Sequence, residues 1–385
     1  MSSDIEGVRN ESPVDYIERN LSIEEFVKWA RGSSPRSTRL RSVVGPPGIG
    51  KSTFLKLLQD RLQLDGERVL MFDLAPSKEK SLVGVLHDDL DKHAREWKVF
   101  FASDRSVLFA SALDAFLRSV SETRLILLVD SFEEVSEAER EAMEAQVLIP
   151  FLFQAGGRGD ERYAVIARRD EFALSDALLR WEDEIYTLEG LDAAKANEPA
   201  EQIQRRLQAI AATSGSPDDV ASILEWEEEA SPLKDKEAGR IFKCTGSSAE
   251  AIVERLAPHL TPNPYINLAL LRRQLLRPDG ELGAEDYRAV LDAYLRRAGL
   301  PETTTYGNTL IPLSGRMDKD GKISQPEYRS NAGQAAELEA LMSAGIIAYS
   351  YPHDYHMEPG VFQLVQRLSP VPAAVMPPAT ATASS

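Results

Sequence analysis

The stretch that decides the fold is "GPPGIGKST", Gly45–Thr53, which follows the short apolar run "LRSVV" and leads into "FLKLLQDRL". Within it, Gly45, Gly50, Lys51 and Ser52 fit the pattern G-x-x-x-x-G-K-[ST] in full. The apolar residues before the loop predict a strand, and the amphipathic residues after it predict a helix. The sequence therefore predicts a strand, a glycine-rich turn and a helix in direct succession.

Each residue type in this loop has a chemical reason to be there. Glycines let consecutive backbone N–H groups turn inward around phosphate oxygens at the N-terminus of a helix. The Lys51 ammonium can reach the β- and γ-phosphates of a nucleotide, and the Ser52 hydroxyl can ligate Mg²⁺. We therefore assign nucleotide binding to the nine loop residues Gly45, Pro46, Pro47, Gly48, Ile49, Gly50, Lys51, Ser52 and Thr53.

From residue 38 to residue 191 the chain alternates short apolar runs with amphipathic helical stretches. The strand candidates are "RLRSVV", "RVLMFDL", "RLILLVD", "RYAVIAR" and "EIYTLEGL". Helices are predicted between them, including "SEAEREAMEAQVLIPFLFQ", where Ser136 and Glu139 have capping-box spacing, and "EFALSDALLRW". The expected fold class is α/β, a P-loop NTPase domain built on a parallel sheet with helices on both faces.

Four further segments flank this predicted domain. Residues 1–37 form an N-terminal extension in which "LSIEEFVKWARG" predicts a helix, with Ser22 and Glu25 at capping-box spacing. Residues 192–284 predict an all-helical domain, and residues 285–368 predict helices followed by a small hairpin, which is typical of a winged-helix domain. The tail 369–385 is rich in Pro, Ala, Thr and Ser without charge or periodicity, so we expect it to be disordered.

Acidic residues elsewhere in the chain indicate which reaction a phosphate-binding loop supports. Asp130 ends the most hydrophobic strand, "LILLV", where a carboxylate can complete the Mg²⁺ site with Ser52. The following "DSFEE" places Glu133 and Glu134 on the turn beyond the strand, where one of them could deprotonate the attacking water. The alternative is an acidic helix N-terminus, which the helix dipole stabilises without any catalytic role.

The next predicted strand ends in two adjacent arginines, Arg168 and Arg169. A cation at this strand end can respond to the γ-phosphate, although adjacent arginines are also common on surface turns. No Asn in the chain is followed by Lys, so the N-K-x-D guanine-reading motif of GTPases is missing. The motifs therefore favour an adenine nucleotide over a guanine nucleotide.

The charge composition of the chain limits the classes of partner that it is expected to bind. Lys and Arg number 44 against 61 Asp and Glu, a net charge of −17, which disfavours broad binding to nucleic acid or to anionic membranes. Residues 285–370 carry 8 Lys and Arg against 11 Asp and Glu, whereas a DNA-reading module is expected to be basic. The single cysteine, Cys244, and the lack of a long apolar segment predict a cytoplasmic protein.

These motifs together resemble the STAND class of signalling ATPases, which includes NACHT proteins and the apoptotic and plant-resistance ATPases. The resemblance rests on "GPPGIGKST", "LILLVDSFEE" and "VIARRD", and more weakly on "YTLEGLD" and "NPYINLALL". It implies ATP or ADP with Mg²⁺ as cofactors, Glu134 as the favoured base, Arg169 as the sensor arginine, and a helical lid followed by a winged helix. It further implies slow ATP hydrolysis and a nucleotide-dependent switch that controls homo-oligomer assembly or binding of protein partners.

The chain departs from the family pattern in two respects. Where the apoptotic and resistance branches have a histidine that touches the ADP β-phosphate, the aligned run is Met357, Glu358 and Pro359. The usual effector domain and sensor repeats are also missing, so we expect either that partner chains supply those functions or that the chain is a reduced member of the class.

Three other functions remain open from the sequence. An AAA+-type initiator would bind DNA through the winged helix, a P-loop small-molecule kinase would need a substrate pocket, and a feeble ATPase would use the nucleotide as a structural ligand.

Overall fold

The computed structural model describes most of the chain between residues 22 and 368. The described residues are 22–32, 39–75, 81–101, 104–120, 124–153, 162–169, 174–192, 197–225, 233–278, 280–301, 303–325, 328, 334–350 and 354–368. Residues 1–21 and the predicted disordered tail 369–385 lie outside them.

A five-stranded sheet forms the first half of the described structure. Its strands are β1 Leu40–Val44, β2 Arg68–Asp73, β3 Leu125–Asp130, β4 Arg162–Arg168 and β5 Glu182–Thr187. They lie in the order β2-β3-β4-β1-β5, and every neighbouring pair is parallel. The predicted parallel sheet is therefore confirmed, and the carboxyl ends of β1, β3 and β4 meet along one edge.

Helices cover both faces of the sheet, as the sequence predicts. They are α1 Ile23–Ala30, α2 Lys51–Leu64, α3 Leu82–Glu96, α4 Phe109–Ser119, α5 Glu137–Met143, α6 Ile149–Phe153 and α7 Asp176–Leu179. Alternate residues of β3 belong to separate apolar clusters: Ile126 and Leu128 pack with α1 and α2, whereas Leu125, Leu127 and Val129 pack with α3 to α6. This alternation buries both faces of the strand, which explains why "LILLV" contains no polar residue.

Two local expectations are corrected and one is confirmed. The Ser136 and Glu139 side chains form the predicted capping box before α5, although α5 and α6 are joined by a π turn at Glu144–Leu148. Ser22 precedes α1 but makes no side-chain capping bond. The stretch "EFALSDALLRW" contains only the four-residue helix α7 among its described residues, because the chain turns into β5 immediately afterwards.

Helix α1 is held on the sheet by a buried arginine. The Arg41 guanidinium of β1 lies 4.7 Å from the Trp29 ring, 5.3 Å from the Phe26 ring and 5.0 Å from the Tyr186 ring. The exposed carboxylate of Glu184 lies 3.7 Å from the same guanidinium. The N-terminal helix is therefore a packed part of the first half of the molecule.

The second half is mainly helical and shares one apolar core. It contains α8 Glu198–Ala211, α9 Pro217–Ile223, α10 Asp235–Leu256, α11 Pro264–Leu276, α12 Ala284–Arg297, α13 Thr303–Ser314, α14 Ala335–Ser343 and α15 Pro359–Leu368. We call α8 to α11 the helical region and the part from α12 to α15 the C-terminal region. The same cluster of buried residues runs from Ile203 to Val365, through both regions.

The C-terminal region also contains a small antiparallel sheet. Strands β7 Ile347–Ser350 and β8 Asp354–Met357 form the hairpin expected from the sequence, and β6 Lys322–Ser324 pairs with the other side of β8. The sequence analysis missed β6 because three residues are too few to show an alternating pattern. Among the described residues, no helix is both long and apolar enough to span a membrane.

Candidate nucleotide site

The glycine-rich loop lies where its sequence places it, between β1 and α2. The loop occupies residues 45–50, and α2 begins at Lys51, directly after Gly50. This arrangement directs the N-terminus of a 14-residue helix toward the loop. A helix N-terminus combines unpaired N–H groups with a partial positive charge, so it favours a bound anion such as phosphate.

Lys51 is buried and fully engaged at the base of the loop. Its Nζ donates to the Gly45 carbonyl at 2.7 Å and to the Pro46 carbonyl at 3.2 Å. The same ammonium lies 3.2 Å from Oε1 of Glu133. The lysine therefore joins the loop to the turn that follows β3, and it lies at the centre of the site.

Asp130 meets the loop at the carboxyl end of β3. Its buried carboxylate lines the cleft together with Ser52, and its Oδ1 accepts the Ser131 N–H at 2.9 Å. Burial raises the pKa of Asp130, whereas the nearby Ser52 side chain and the Ser131 N–H oppose the rise. The pairing of Asp130 with Ser52 is the one that the sequence predicts for a Mg²⁺ site.

The two glutamates after Asp130 occupy different environments. The Glu133 carboxylate is 7% exposed, and its Oε1 lies 3.2 Å from Lys51 Nζ and 3.7 Å from Arg169 Nε. Its Oε2 is buried and accepts no hydrogen bond among the described residues. Glu134 is the more exposed residue, although partial burial of its carboxyl group and the nearby Glu133 charge raise its pKa. The structure thus places Glu133 closer than Glu134 to the loop lysine.

The two arginines at the end of β4 have separate contacts. Arg168 is buried on β4 and pairs with Glu182 of β5 at 3.3 Å, away from the loop. Arg169 lies beside Glu133, and its Nη1 donates to the Ser343 carbonyl at 3.5 Å, at the end of α14. Of the two, Arg169 is the one at the predicted site, and it also contacts the C-terminal region.

These side chains line a narrow cleft between the sheet and the second half of the molecule, which comprises the helical and C-terminal regions. Its volume is about 80 Å³, small beside the roughly 300–1,000 Å³ of typical ligand pockets. The cleft is lined by Pro47, Gly48, Gly50, Lys51, Ser52, Thr53, Asp130, Ser131, Glu133, Glu134, Arg169, Glu225, Pro264, Tyr265, Leu268 and Arg297. Some of the lining residues must therefore move apart before a whole nucleotide fits.

The side chains that the second half of the molecule contributes to the cleft were not predicted from the sequence. Arg297, in the last turn of α12, lies 4.6 Å from the Tyr265 ring centre and 3.8 Å from the Glu225 carboxylate. Neighbouring arginines, with Arg297 among them, lower the pKa of Glu225 despite its burial. Arg297 is the second member of an ordinary Arg-Arg pair at a helix end, and no local pattern distinguishes it from its neighbour.

Glu358 does not line the cleft, although its position aligns with the family histidine. Its carboxylate is buried at the start of α15, where it accepts the Val361 N–H at 2.6 Å and the Asn263 side-chain amide at 3.3 Å. Burial raises the pKa of Glu358 above its ordinary value. The Glu358 side chain therefore lies in the protein interior and reaches the loop only through Asn263, which bonds to Pro47.

Comparison with known proteins bears on the fold. No protein-family model matches the chain, and no curated protein matches it. Its structure is similar to the Walker-type ATPase of Pyrococcus abyssi at 13% sequence identity, with 89% of this chain and 95% of that chain covered and a TM-score of 0.50.

Two other solved structures are also similar. A variant of Thermotoga maritima RuvB matches at 16% identity, over 90% of this chain and 95% of that one, with a TM-score of 0.37. C. elegans PCH-2 matches at 16% identity, over 66% and 68%, with a TM-score of 0.32. The similarity to the Pyrococcus protein, together with the observed sheet and loop, shows the P-loop NTPase fold.

Proposed function

We propose that the protein binds ATP with Mg²⁺, hydrolyses it slowly, and uses the nucleotide to control the position of its helical and C-terminal regions. The observation that carries this proposal is the placement of the buried Asp130 carboxylate and the Ser52 side chain in one cleft beside the buried Lys51. A carboxylate and a hydroxyl are hard oxygen ligands of the kind that Mg²⁺ prefers, together with phosphate oxygens. When bound, Mg²⁺ would supply charge neutralisation for the phosphates.

Glu133 is the better placed of the two candidate bases. Its Oε2 is buried and receives no hydrogen bond from the described residues, so this oxygen can accept one from a water molecule. Its Oε1 is held between Lys51 and Arg169, which fixes the orientation of the carboxylate. The resemblance favours Glu134, whose raised pKa also suits a base, so replacing each glutamate in turn decides between them.

The switch part of the proposal rests on contacts across the cleft. Arg169 contacts both Glu133 at the nucleotide site and the Ser343 carbonyl in the C-terminal region. A γ-phosphate that attracts this guanidinium would weaken the contact with Ser343. By analogy with the STAND class, we propose that the resulting movement controls homo-oligomer assembly or the binding of cytoplasmic partners that supply effector or sensor functions.

A second candidate is an AAA+-type initiator that binds DNA. It is favoured by the C-terminal region, whose helices and three-stranded antiparallel sheet are compatible with a winged helix. The acidic balance of residues 285–370 weighs against it, so protein contact is our first choice.

The proposal is tested by identifying the nucleotide that copurifies with the chain and by measuring its mass by light scattering with ADP and with a non-hydrolysable ATP analogue. We expect bound adenine nucleotide and a larger assembly with the analogue. Lys51→Ala should abolish both, whereas Lys56→Ala, an exposed lysine on the same helix, should abolish neither. Binding of duplex DNA with no change in assembly would support the initiator instead, and no nucleotide binding would refute the proposal.

A further inference from the structure

Asn263 and the first residues of α11 lie between the loop and the C-terminal helix α15. A Cβ atom on Gly48, which has φ +71°, would lie 2.6 Å from Tyr265 Cβ. A Cβ atom on Gly360 would lie 2.6 Å from Asn263 Cβ. Both distances are too short for real atoms, so only glycine allows the loop and α15 to approach this segment so closely.

Asn263 lies at the centre of this junction, and its amide has one fixed orientation. It is the N-cap of α11, where its Oδ1 accepts the N–H groups of Tyr265 at 3.0 Å and Ile266 at 3.2 Å. Since that oxygen is committed to the helix cap, the Nδ2 group must serve as the donor. It donates to the Pro47 carbonyl at 3.1 Å and to Glu358 Oε1 at 3.3 Å.

Two further groups fix the ends of this chain of hydrogen bonds. Glu358 accepts the Val361 N–H at 2.6 Å, so its carboxylate marks the start of α15. The Tyr294 hydroxyl of α12 donates to the same Pro47 carbonyl at 3.4 Å. Asn263 and Tyr294 are both completely buried, so water does not compete for these bonds.

The Pro47 carbonyl controls a neighbouring donor through the geometry of the peptide bond. In a planar trans peptide the C=O and the following N–H point in opposite directions. Because Asn263 and Tyr294 hold the Pro47 oxygen on the helical side, the Gly48 N–H must point to the other side of the loop. Among the described residues that N–H donates to no protein acceptor, and Gly48 lines the cleft.

We propose that Asn263 is a positioning residue for phosphate binding: it holds the Pro47 carbonyl so that the Gly48 N–H faces the phosphates, and Glu358 holds Asn263. The position of α15 is thereby transmitted to the loop through hydrogen bonds within the protein, without a contact between Glu358 and the nucleotide. This inference rests on the proposed nucleotide site and deepens it.

The test measures the affinities of inorganic triphosphate, ATP and adenosine by titration calorimetry. Asn263→Ser keeps an oxygen that can cap α11 but removes the Nδ2 donor. Asn267→Ser is the matched control, because the amide of Asn267 is equally buried in the first turn of α11 and, among the described residues, bonds to Thr261 and Gln202 and not to the loop. We expect Asn263→Ser to bind triphosphate and ATP about tenfold more weakly, the loss of one well-aligned hydrogen bond to a charged group, with adenosine affinity unchanged.

Glu358→Gln provides a second variant, since it places an amide nitrogen against either Asn263 Nδ2 or the helix N–H groups. We expect it to weaken triphosphate binding severalfold, and it carries the test alone if Asn263→Ser does not fold. The positioning role would be overturned if either folded variant bound triphosphate with wild-type affinity. It would also be overturned if Asn263→Ser lost as much affinity for adenosine as for triphosphate, or if Asn267→Ser lost as much triphosphate affinity as Asn263→Ser.

A wild-type protein that binds neither triphosphate nor ATP would defeat the proposed function instead. The loop orientation is then read from amide hydrogen exchange over residues 45–50 without ligand. Faster exchange in Asn263→Ser than in Asn267→Ser would support the positioning role, and equal exchange would overturn it.

Discussion

Replacing Glu133 with glutamine should destabilise the unliganded protein and make it depend on Mg²⁺–ATP for stability. The Glu133 carboxylate lies between two cations, Lys51 at 3.2 Å and Arg169 at 3.7 Å, and all three side chains are at most 8% exposed. Glutamine keeps the volume but removes the charge, so two buried cations lose the carboxylate that lies between them. Removal of one partner from a buried ion pair typically costs about 3–5 kcal/mol.

The lower end of that range applies here because both cations keep other acceptors. Lys51 retains the carbonyls of Gly45 and Pro46, and Arg169 retains that of Ser343. A loss of about 3 kcal/mol lowers the melting temperature of a domain of this size by roughly 5–10 °C. The phosphates of ATP supply the missing negative charge, so the rise in melting temperature on adding Mg²⁺–ATP should be larger in Glu133→Gln than in wild type.

The assay is thermal unfolding with and without Mg²⁺–ATP, with Glu134→Gln as the matched control. Glu134 has the same side chain one residue later but is more exposed, and no salt bridge is seen for it among the described residues. If Glu133→Gln melts like wild type without nucleotide, or if Glu134→Gln shows the larger fall, the ion-pair reasoning is refuted.

The same two variants identify the base. We expect Glu133→Gln to lower the ATP hydrolysis rate by about 10²- to 10⁴-fold while it retains ATP binding. Full hydrolysis in Glu133→Gln together with its loss in Glu134→Gln would assign the base to Glu134.

Three other outcomes follow from buried charges. Arg41→Gln should loosen α1 by about 1–2 kcal/mol through loss of its contacts with three aromatic rings, seen as a change in Trp29 fluorescence and earlier proteolysis of α1. Arg168→Met should lower stability by a few kcal/mol without a specific loss of ATP affinity, because its partner is Glu182; a selective affinity loss would contradict this. Burial raises the pKa of Glu358 in the folded protein above its ordinary value of 4.5, so the folded state binds a proton at this carboxyl group more tightly than the unfolded state does. Wild type should therefore lose stability relative to Glu358→Gln as the pH rises from about 4.5. A difference between their unfolding midpoints that is constant from pH 4.5 to 8 would contradict this.

The sheet could be predicted because its signals are local. Each strand is a short apolar run, and the strands alternate with amphipathic helices, which is sufficient to indicate a parallel sheet. The strand β6 and the helix α13 escaped prediction. The former has three residues, and the latter contains Pro312 and a run of three threonines, which disfavour helix in isolation. Packing against α12 and α15 in the shared core supplies what the local sequence lacks.

The residues of the candidate site likewise fall into those that local motifs predict and those that depend on the tertiary fold. Lys51, Ser52 and Asp130 belong to motifs whose spacing is set by one strand and one turn, so their positions follow from sequence. The different environments of Glu133 and Glu134 depend on the rotation of a single turn of 3-10 helix, Phe132–Glu134, which sequence spacing does not specify. Arg297 and Asn263 reach the site from segments more than 200 residues away in sequence from Pro47, and only the tertiary fold brings them there.

The contacts that connect the loop side of the cleft to the second half of the molecule differ in strength, and the difference between two of them suggests how nucleotide would move that half. The bond from Arg169 to the Ser343 carbonyl is 3.5 Å long, at the limit of a hydrogen bond, whereas the bond from Asn263 to Pro47 is 3.1 Å and completely buried. A phosphate offers Arg169 an ion pair in which both donor and acceptor are charged, and which can be bidentate, in place of one long bond to an uncharged carbonyl. Under the proposed function, Arg169 therefore leaves Ser343 while Asn263 still holds Pro47. The first movement is then a rotation about the Asn263 junction that frees the end of α14, not a separation of the two halves.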